Sequence, residues 1–436
     1  MNKRCFRTGL PLVLALALAG CGQGGEQPAS GGKEEEPAVT EPVTLTLYSH
    51  LAAINTEKDL EALFGAVRKK LPNITIEQKK GKLEDMIAAG EVPDLIATTH
   101  YYMNDIIQLG LVSDLNEFVK RRKVDLNRFE PKAIEAVRSY GKNGELYGIP
   151  YTLNYGVLIY NKTIFDKFAA PYPKDGMTWS EVTELARKVT RVENGTSYIG
   201  IDPGSPRTVG RGYSLPVVDE KLGKSLIDTD GYKSVMSMMK RIYDIPGIVD
   251  PKKNYSYGIN YFMKDQKMAM FPSWIAAITS RLMQLEEQGQ SFDWDIVSHP
   301  AFDDKPGIGR EIEFQSLIVT PTSKHKEAAY RLIEAMVGDE SQTIMNRGTN
   351  LTVLNKPELK SEFAKDTKLY DGKNLSGVFK VKPASIPATT VYDTKIYSFL
   401  GDAMKSMIVD GADLNSALRA AGENADKYIQ EVRSAK

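Results

Sequence analysis

The chain has 436 residues, 56 basic and 56 acidic side chains, a formal net charge of zero and only two cysteines, Cys5 and Cys21. A balanced charge without a concentrated basic surface argues against a nucleic-acid partner. Two cysteines are too few for a disulfide-stapled scaffold, and the length suits two domains with sizeable cores.

The first twenty residues read as an address. Lys3, Arg4 and Arg7 give a basic start, and Leu10 to Ala19 give an apolar run too short to span a bilayer comfortably. The run ends in Leu18-Ala19-Gly20-Cys21, which resembles a bacterial lipoprotein signal whose cysteine becomes the lipidated first residue. Cys5 would leave with the signal (1–20) and Cys21 would carry lipid, leaving no thiol in the mature domain. The expected place is therefore the extracellular face of the cell membrane, with the membrane met through a lipid anchor only. Residues 21–42 are rich in Gly, Gln, Ser, Glu and Pro around Lys33-Glu34-Glu35-Glu36, and read as a disordered tether.

From Val43 onward the pattern alternates between strand and helix. Val43 to Tyr48 is a β-rich run. The next segment is a helix with Thr56 as N-cap and Leu60, Leu63, Phe64, Val67 and Leu71 as its apolar stripe, stopped by Pro72. Ile74 to Ile76 is a strand, Lys82 to Ala89 a helix closed by Gly90, and Asp94 to Thr98 a third strand. This spacing predicts an α/β fold with parallel strands and helices on both faces. Gly156 to Tyr160 opens a second α/β region. Thr178 and Glu181 form a capping box before the buried face Val182, Leu185, Val189. Lys267 to Phe271, Trp294 to Val297 and Ser316 to Val319 are further strands. Helices follow from about Lys326 to Val337 and from Asp413 to Val432.

Six segments in order then resemble one family. They are Val92-Pro93-Asp94-Leu95, Glu145-Leu146-Tyr147-Gly148-Ile149-Pro150, Leu158-Ile159-Tyr160-Asn161-Lys162, Thr178-Trp179-Ser180-Glu181, Lys267-Met268-Ala269-Met270, and Ser323 to Ala329. Together they resemble the extracellular solute-binding proteins of ABC importers, in the large family that includes maltodextrin- and oligosaccharide-binding members. The resemblance implies a two-lobed periplasmic-binding-protein-like fold with the ligand cleft between lobes. It implies lobe 1 from 43–151 and 314–354, and lobe 2 from 152–313 and 355–436. The implied function is capture of a carbohydrate, an oligosaccharide, by hinge closure and delivery to membrane permease subunits. The expected protein is a monomer without cofactor or metal, and not an enzyme.

In open α/β sheets ligands sit at the carboxyl ends of strands. That rule nominates Tyr48 and His50 after the first strand, and Thr99 and Tyr101 (with His100 and Tyr102 beside them) after the third; each could equally be a packing residue. A tyrosine can stack on a sugar face while its hydroxyl hydrogen-bonds. Asn154, at the implied first crossover, could meet sugar hydroxyls or brace a hinge. Trp274, where the family often places a stacking aromatic, is the first choice of the three tryptophans; Trp179 and Trp294 read as packing. Arg207 and Arg211, in a Gly- and Pro-containing loop, could clamp a carboxylate or be solvated. Tyr392 lies where relatives often bring in an aromatic. Gln315 and Asn350 lie near the implied later crossovers.

Rival classes are weaker on the residues. Glu311 and Glu313 suggest a glycosidase pair, but their position reads more simply as charged surface, and no Gly-x-Ser-x-Gly elbow or phosphate loop is present. His100-Tyr101-Tyr102 invites comparison with iron-binding relatives, yet the four histidines are scattered. A non-sugar solute, or presentation to a membrane sensor, keeps the same fold.

Overall fold

The computed structural model describes residues 41–434 apart from 51–53, 55, 220, 222 and 388. The expected signal, Cys21 and most of the tether lie outside the described residues. Two five-stranded sheets organise everything else.

The first sheet runs in the order Ile74–Lys79, Val43–Ser49, Leu95–Thr99, Glu313–Val319, Ile149–Asn154. Its first three strands are parallel, with Leu47 level with Gln78 on one side and Leu95 on the other. Leu45 and Leu47 are fully buried while Thr44 is exposed, so the alternation read from the sequence faces one side of the strand to the core. Glu313–Val319 enters antiparallel to both of its neighbours. The second sheet is Trp294–Ser298, Gly156–Asn161, Met268–Trp274, Thr196–Ile201, Arg191–Glu193. There Gly156–Asn161 is antiparallel to both neighbours. The expected all-parallel sheets are thus mixed: the first has one reversed strand, and the second has two, Gly156–Asn161 and the edge strand Arg191–Glu193. In each sheet one reversed strand lies next to a passage of the chain between sheets.

Two of those passages are single residues. Tyr155 separates Ile149–Asn154 from Gly156–Asn161, so the chain leaves the first sheet past the expected division at 151. Ile312 separates Ile308–Glu311 from Glu313–Val319. Both residues are buried, and Glu313 pairs with Asn154, so the two passages lie side by side. A third return brings the chain through Pro357–Lys360. Its Lys360 Nζ lies 2.7 Å from Glu130 Oε2 and 3.1 Å from the Tyr155 hydroxyl, which itself donates to Glu130. The ion pair is one-tenth exposed on each side, so it ties the passages together away from water.

The segments that carried the family resemblance turn out to be framing residues. Asp94 accepts from the backbone and hydroxyl of Thr46 at 2.9 and 2.8 Å and from the Ser323 hydroxyl at 2.7 Å, so two of the segments meet at one carboxylate. Asn161 caps the helix Lys162–Lys167 through the amide of Ile164. Thr178 and Glu181 make the expected capping box, and Thr56 makes one with Asp59. Trp179 is buried edge-on to His299. The helices Asp393–Val409 and Leu414–Ser434 pack on each other and on the Pro206–Gly210 and Asp230–Tyr243 helices of the second lobe.

Candidate functional site

The carboxyl ends of strands from the two sheets meet across a cleft of about 370 Å³. The first lobe contributes Tyr101 and Tyr102 from the turn that follows Leu95–Thr99. The second lobe contributes Arg207 and Thr208 from Pro206–Gly210, Arg211 from the 3-10 turn behind it, Trp274 from the end of Met268–Trp274, and Arg310 from Ile308–Glu311. A larger hollow, about 850 Å³, is lined wholly by second-lobe residues such as Tyr198, Tyr257 and Tyr261. Closure of one lobe on the other cannot enclose it, so the inter-lobe cleft is the candidate site.

Charge is layered behind the cleft. Arg310 lies over Trp274, its guanidinium carbon 3.6 Å from the ring centroid, and is 6% exposed. Gly156 makes that possible: a Cβ there would stand 2.4 Å from both Cγ and Cδ of Arg310. Arg207 and Arg211 each hold a guanidinium carbon 4.9 Å from the Tyr101 ring, and 5.0 and 5.7 Å from the Tyr397 ring. Beneath them Glu311 is fully buried and accepts from the Tyr101 hydroxyl at 2.9 Å. Its Oε1 lies 3.7 Å from Arg211 Nε and 3.9 Å from Arg310 Nη2, within ion-pair range but outside hydrogen-bonding distance. Glu311 is therefore no surface charge, and Arg211, at 2% exposure, is no solvated loop residue.

The ionisation states follow from this layering. Burial opposes the charge on Arg211, but Tyr397, Glu311 and Tyr101 around it hold its guanidinium above the usual arginine range. Burial, then the charge on Glu311, pushes the Tyr101 hydroxyl up, so it stays a donor. Burial, then Arg211, Arg207 and Arg310, pushes His100 well below its ordinary value, and burial with Arg310 takes His299 down to about 3. Both rings are neutral at neutral pH. Neither nitrogen of His100 has a hydrogen-bond partner among the described residues.

The structure brings Tyr101, Arg207 and Trp274 to the cleft and distributes the other expected residues around it. Tyr48 stands edge-on to His50 at 5.0 Å, and His50 stacks on Tyr102 at 5.2 Å, so these rings continue the first-lobe wall. Thr99 is buried under the turn, its hydroxyl accepting from the amide of Tyr101. Asn154 uses its amide within the frame, donating to Glu313 at 2.8 Å and accepting from the backbone of Ala276 at 3.0 Å. Gln315 accepts from the Tyr151 hydroxyl. Tyr392 packs edge-on to Tyr428, while Tyr397, five residues further along in the helix Asp393–Val409, sits by the arginine pair. Ser205, Thr208, Arg310, Glu311 and Tyr397 are site residues that the sequence reading did not assign to the ligand. A signal was available for two of them: Arg310-Glu311-Ile312-Glu313 places charges immediately before an apolar strand at a crossover.

Among the described residues no group of three or more His, Cys, Asp or Glu could hold a metal ion, and no helix is long and apolar enough to cross a membrane. Two α/β lobes, linked by closely spaced passages and sharing a polar, aromatic-edged cleft, define a two-lobed binding protein. The chain belongs to the bacterial extracellular solute-binding protein family, whose model matches residues 61–371. Solved structures share the fold across nearly their full lengths. An ABC substrate-binding protein from Listeria monocytogenes in complex with cycloalternan is 20% identical, with a TM-score of 0.70 over 89% of this chain and 100% of that one. A sugar transporter from Rhizobium etli in an open conformation is 20% identical, with a TM-score of 0.71 over 88% and 99%. The sugar-binding protein MalE from Xanthomonas citri is 16% identical, with a TM-score of 0.69 over 90% and 99%.

Proposed function

We propose that the protein is the extracellular solute-binding component of an ABC importer, and that it captures an oligosaccharide in the inter-lobe cleft and delivers it to the permease. The observation that carries the reading is the opposition of rings across the cleft, Tyr101 and Tyr102 from one lobe and Trp274 from the other. Sugar rings present flat apolar faces and a rim of hydroxyls, and stacked aromatics beside arginine and threonine donors match both. The solved relatives named for cycloalternan and for sugars support the same ligand class. Closure about the paired passages would desolvate the ligand, and opening at the permease would release it. In this reading Tyr101, Arg207 and Trp274 touch ligand, whereas Asn154 and Gln315 hold the frame. The protein is non-catalytic and is tethered by a lipid, a palmitoyl chain among its acyl groups, on Cys21.

A thermal-shift screen against mono- and oligosaccharides tests the reading, since ligand at a hundredfold over its Kd adds about 2.7 kcal/mol of stability. For the sugar so found, Trp274→Ala should weaken binding at least tenfold, or about 1.4 kcal/mol. Unchanged affinity by calorimetry would remove Trp274 from the site.

A further inference from the structure

Resting on the carbohydrate reading above, we propose that the ligand is an acidic saccharide whose carboxylate is held by Arg207, Arg211 and Arg310. The cleft lining contains these three guanidinium groups and no carboxylate. The one carboxylate that approaches them, Glu311, sits beneath and makes no hydrogen bond to any of the three; its bonded oxygen is taken by Tyr101. Arg211 Nε and Nη1 and Arg310 Nε are buried without a hydrogen-bond partner among the described residues. Two further acids stand nearby and are already engaged by neutral groups. Glu313 accepts from Asn154, and Asp393 accepts from the amide and hydroxyl of Thr390 at 2.9 and 2.6 Å. Burial pushes both of these carboxyls above their ordinary range.

Each of the three guanidinium groups already rests against an aromatic ring before any ligand arrives. Arg310 is fixed on Trp274, and Arg207 and Arg211 are fixed against Tyr101 and Tyr397. A planar, oriented fork with free N–H groups is the arrangement that receives a carboxylate in two parallel bonds. A neutral sugar would leave the excess positive charge uncompensated on desolvation, whereas a uronate supplies the missing anion and a stacking face together. The acid selectivity and the saccharide selectivity thus come from different parts of one cleft.

Calorimetry on the purified chain tests this with trisaccharides of galacturonate, glucuronate and mannuronate, each as free acid and as methyl ester, beside neutral mannotriose and maltotriose. One free acid should bind, its ester at least tenfold more weakly. Arg207→Gln, at a half-buried position, should shrink that acid-to-ester ratio to below threefold. Equal or tighter binding by an ester or by a neutral trisaccharide overturns the acidic-ligand proposal and leaves the carbohydrate reading standing. A folded chain that binds no saccharide, acid or neutral, overturns both.

Discussion

Gly156→Ala probes how the backbone makes room for the site. Gly156 does not have a positive φ, so alanine is conformationally acceptable there, and by chain entropy alone the change would stabilise by about 0.4–1 kcal/mol. The space around it predicts the opposite. The new Cβ would stand 2.4 Å from Cγ and Cδ of Arg310 and 3.1 Å from Cδ2 of His299, where carbons rest at about 3.5–4.0 Å. The arginine stem must retreat by more than about 1 Å to restore that spacing, and its guanidinium cannot then stay 3.6 Å over Trp274. Overpacking costs roughly 1–3 kcal/mol and a desolvated cation–π contact is worth about 2, so a net loss near ~3 kcal/mol is expected. Urea unfolding of the wild type, Gly156→Ala, Arg310→Ala and the double variant measures it. With the arginine stem gone, the alanine at 156 should cost less than about 1 kcal/mol, and the cycle should show coupling of about 2 kcal/mol. Equal cost in both backgrounds would place the strain at His299 or the backbone and refute the account.

Three other outcomes follow from contacts away from the cleft. Lys360→Met leaves Glu130 buried and unpaired and should destabilise by about 3–5 kcal/mol, whereas adding Glu130→Leu should recover most of the loss; a double variant no better than the single would count against the ion pair as the cause. Thr178→Ala removes one half of a capping box and should cost about 1 kcal/mol by urea midpoint, with ligand affinity unchanged. His299, held down to about 3 against about 6.5 when unfolded, contributes stability that is fully present above pH 6.5 and is lost as pH falls toward its folded value. Unfolding free energy should therefore drop by on the order of 2 kcal/mol from pH 7 to 5 on its account, and His299→Leu should flatten that slope; an identical slope in the variant would show the ring is not the group responsible.

What was legible in the sequence was local or ordered along it. The caps at Thr56 and Thr178 depend on residues three positions apart, and the amphipathic faces on a period of one helical turn. The Asn194-Gly195 turn between Arg191–Glu193 and Thr196–Ile201 was equally local, with both residues at positive φ, yet went unread because its first strand is only three residues long. The charged layer was legible only as charges set before an apolar strand at Arg310-Glu311-Ile312-Glu313, not as a buried cluster. Glu311 looks like surface because nothing near it in sequence forecasts that Tyr101 and Arg211 will close over it. Tyr392 was nominated from the family resemblance alone, whereas the helix that brings Tyr397 to the arginines left no local signal.

The reversed strand in the first sheet also fixes a schedule. Glu313–Val319 lies between Leu95–Thr99 and Ile149–Asn154, so the sheet has a gap at an interior position until residue 319 is available. The second lobe waits longer, since Asp393–Val409 and Leu414–Ser434 supply the packing behind Pro206–Gly210. Synthesis runs from the amino end, so Glu313–Val319 is among the later strands to become available. The first sheet therefore cannot close before residue 319 nor the second lobe before the last two helices. Until Glu313–Val319 arrives, the unfilled edges of Leu95–Thr99 and Ile149–Asn154 are open to wrong pairing. A lesion in residues 313–319 would thus be felt first as lost yield of folded protein and only afterwards as lost binding.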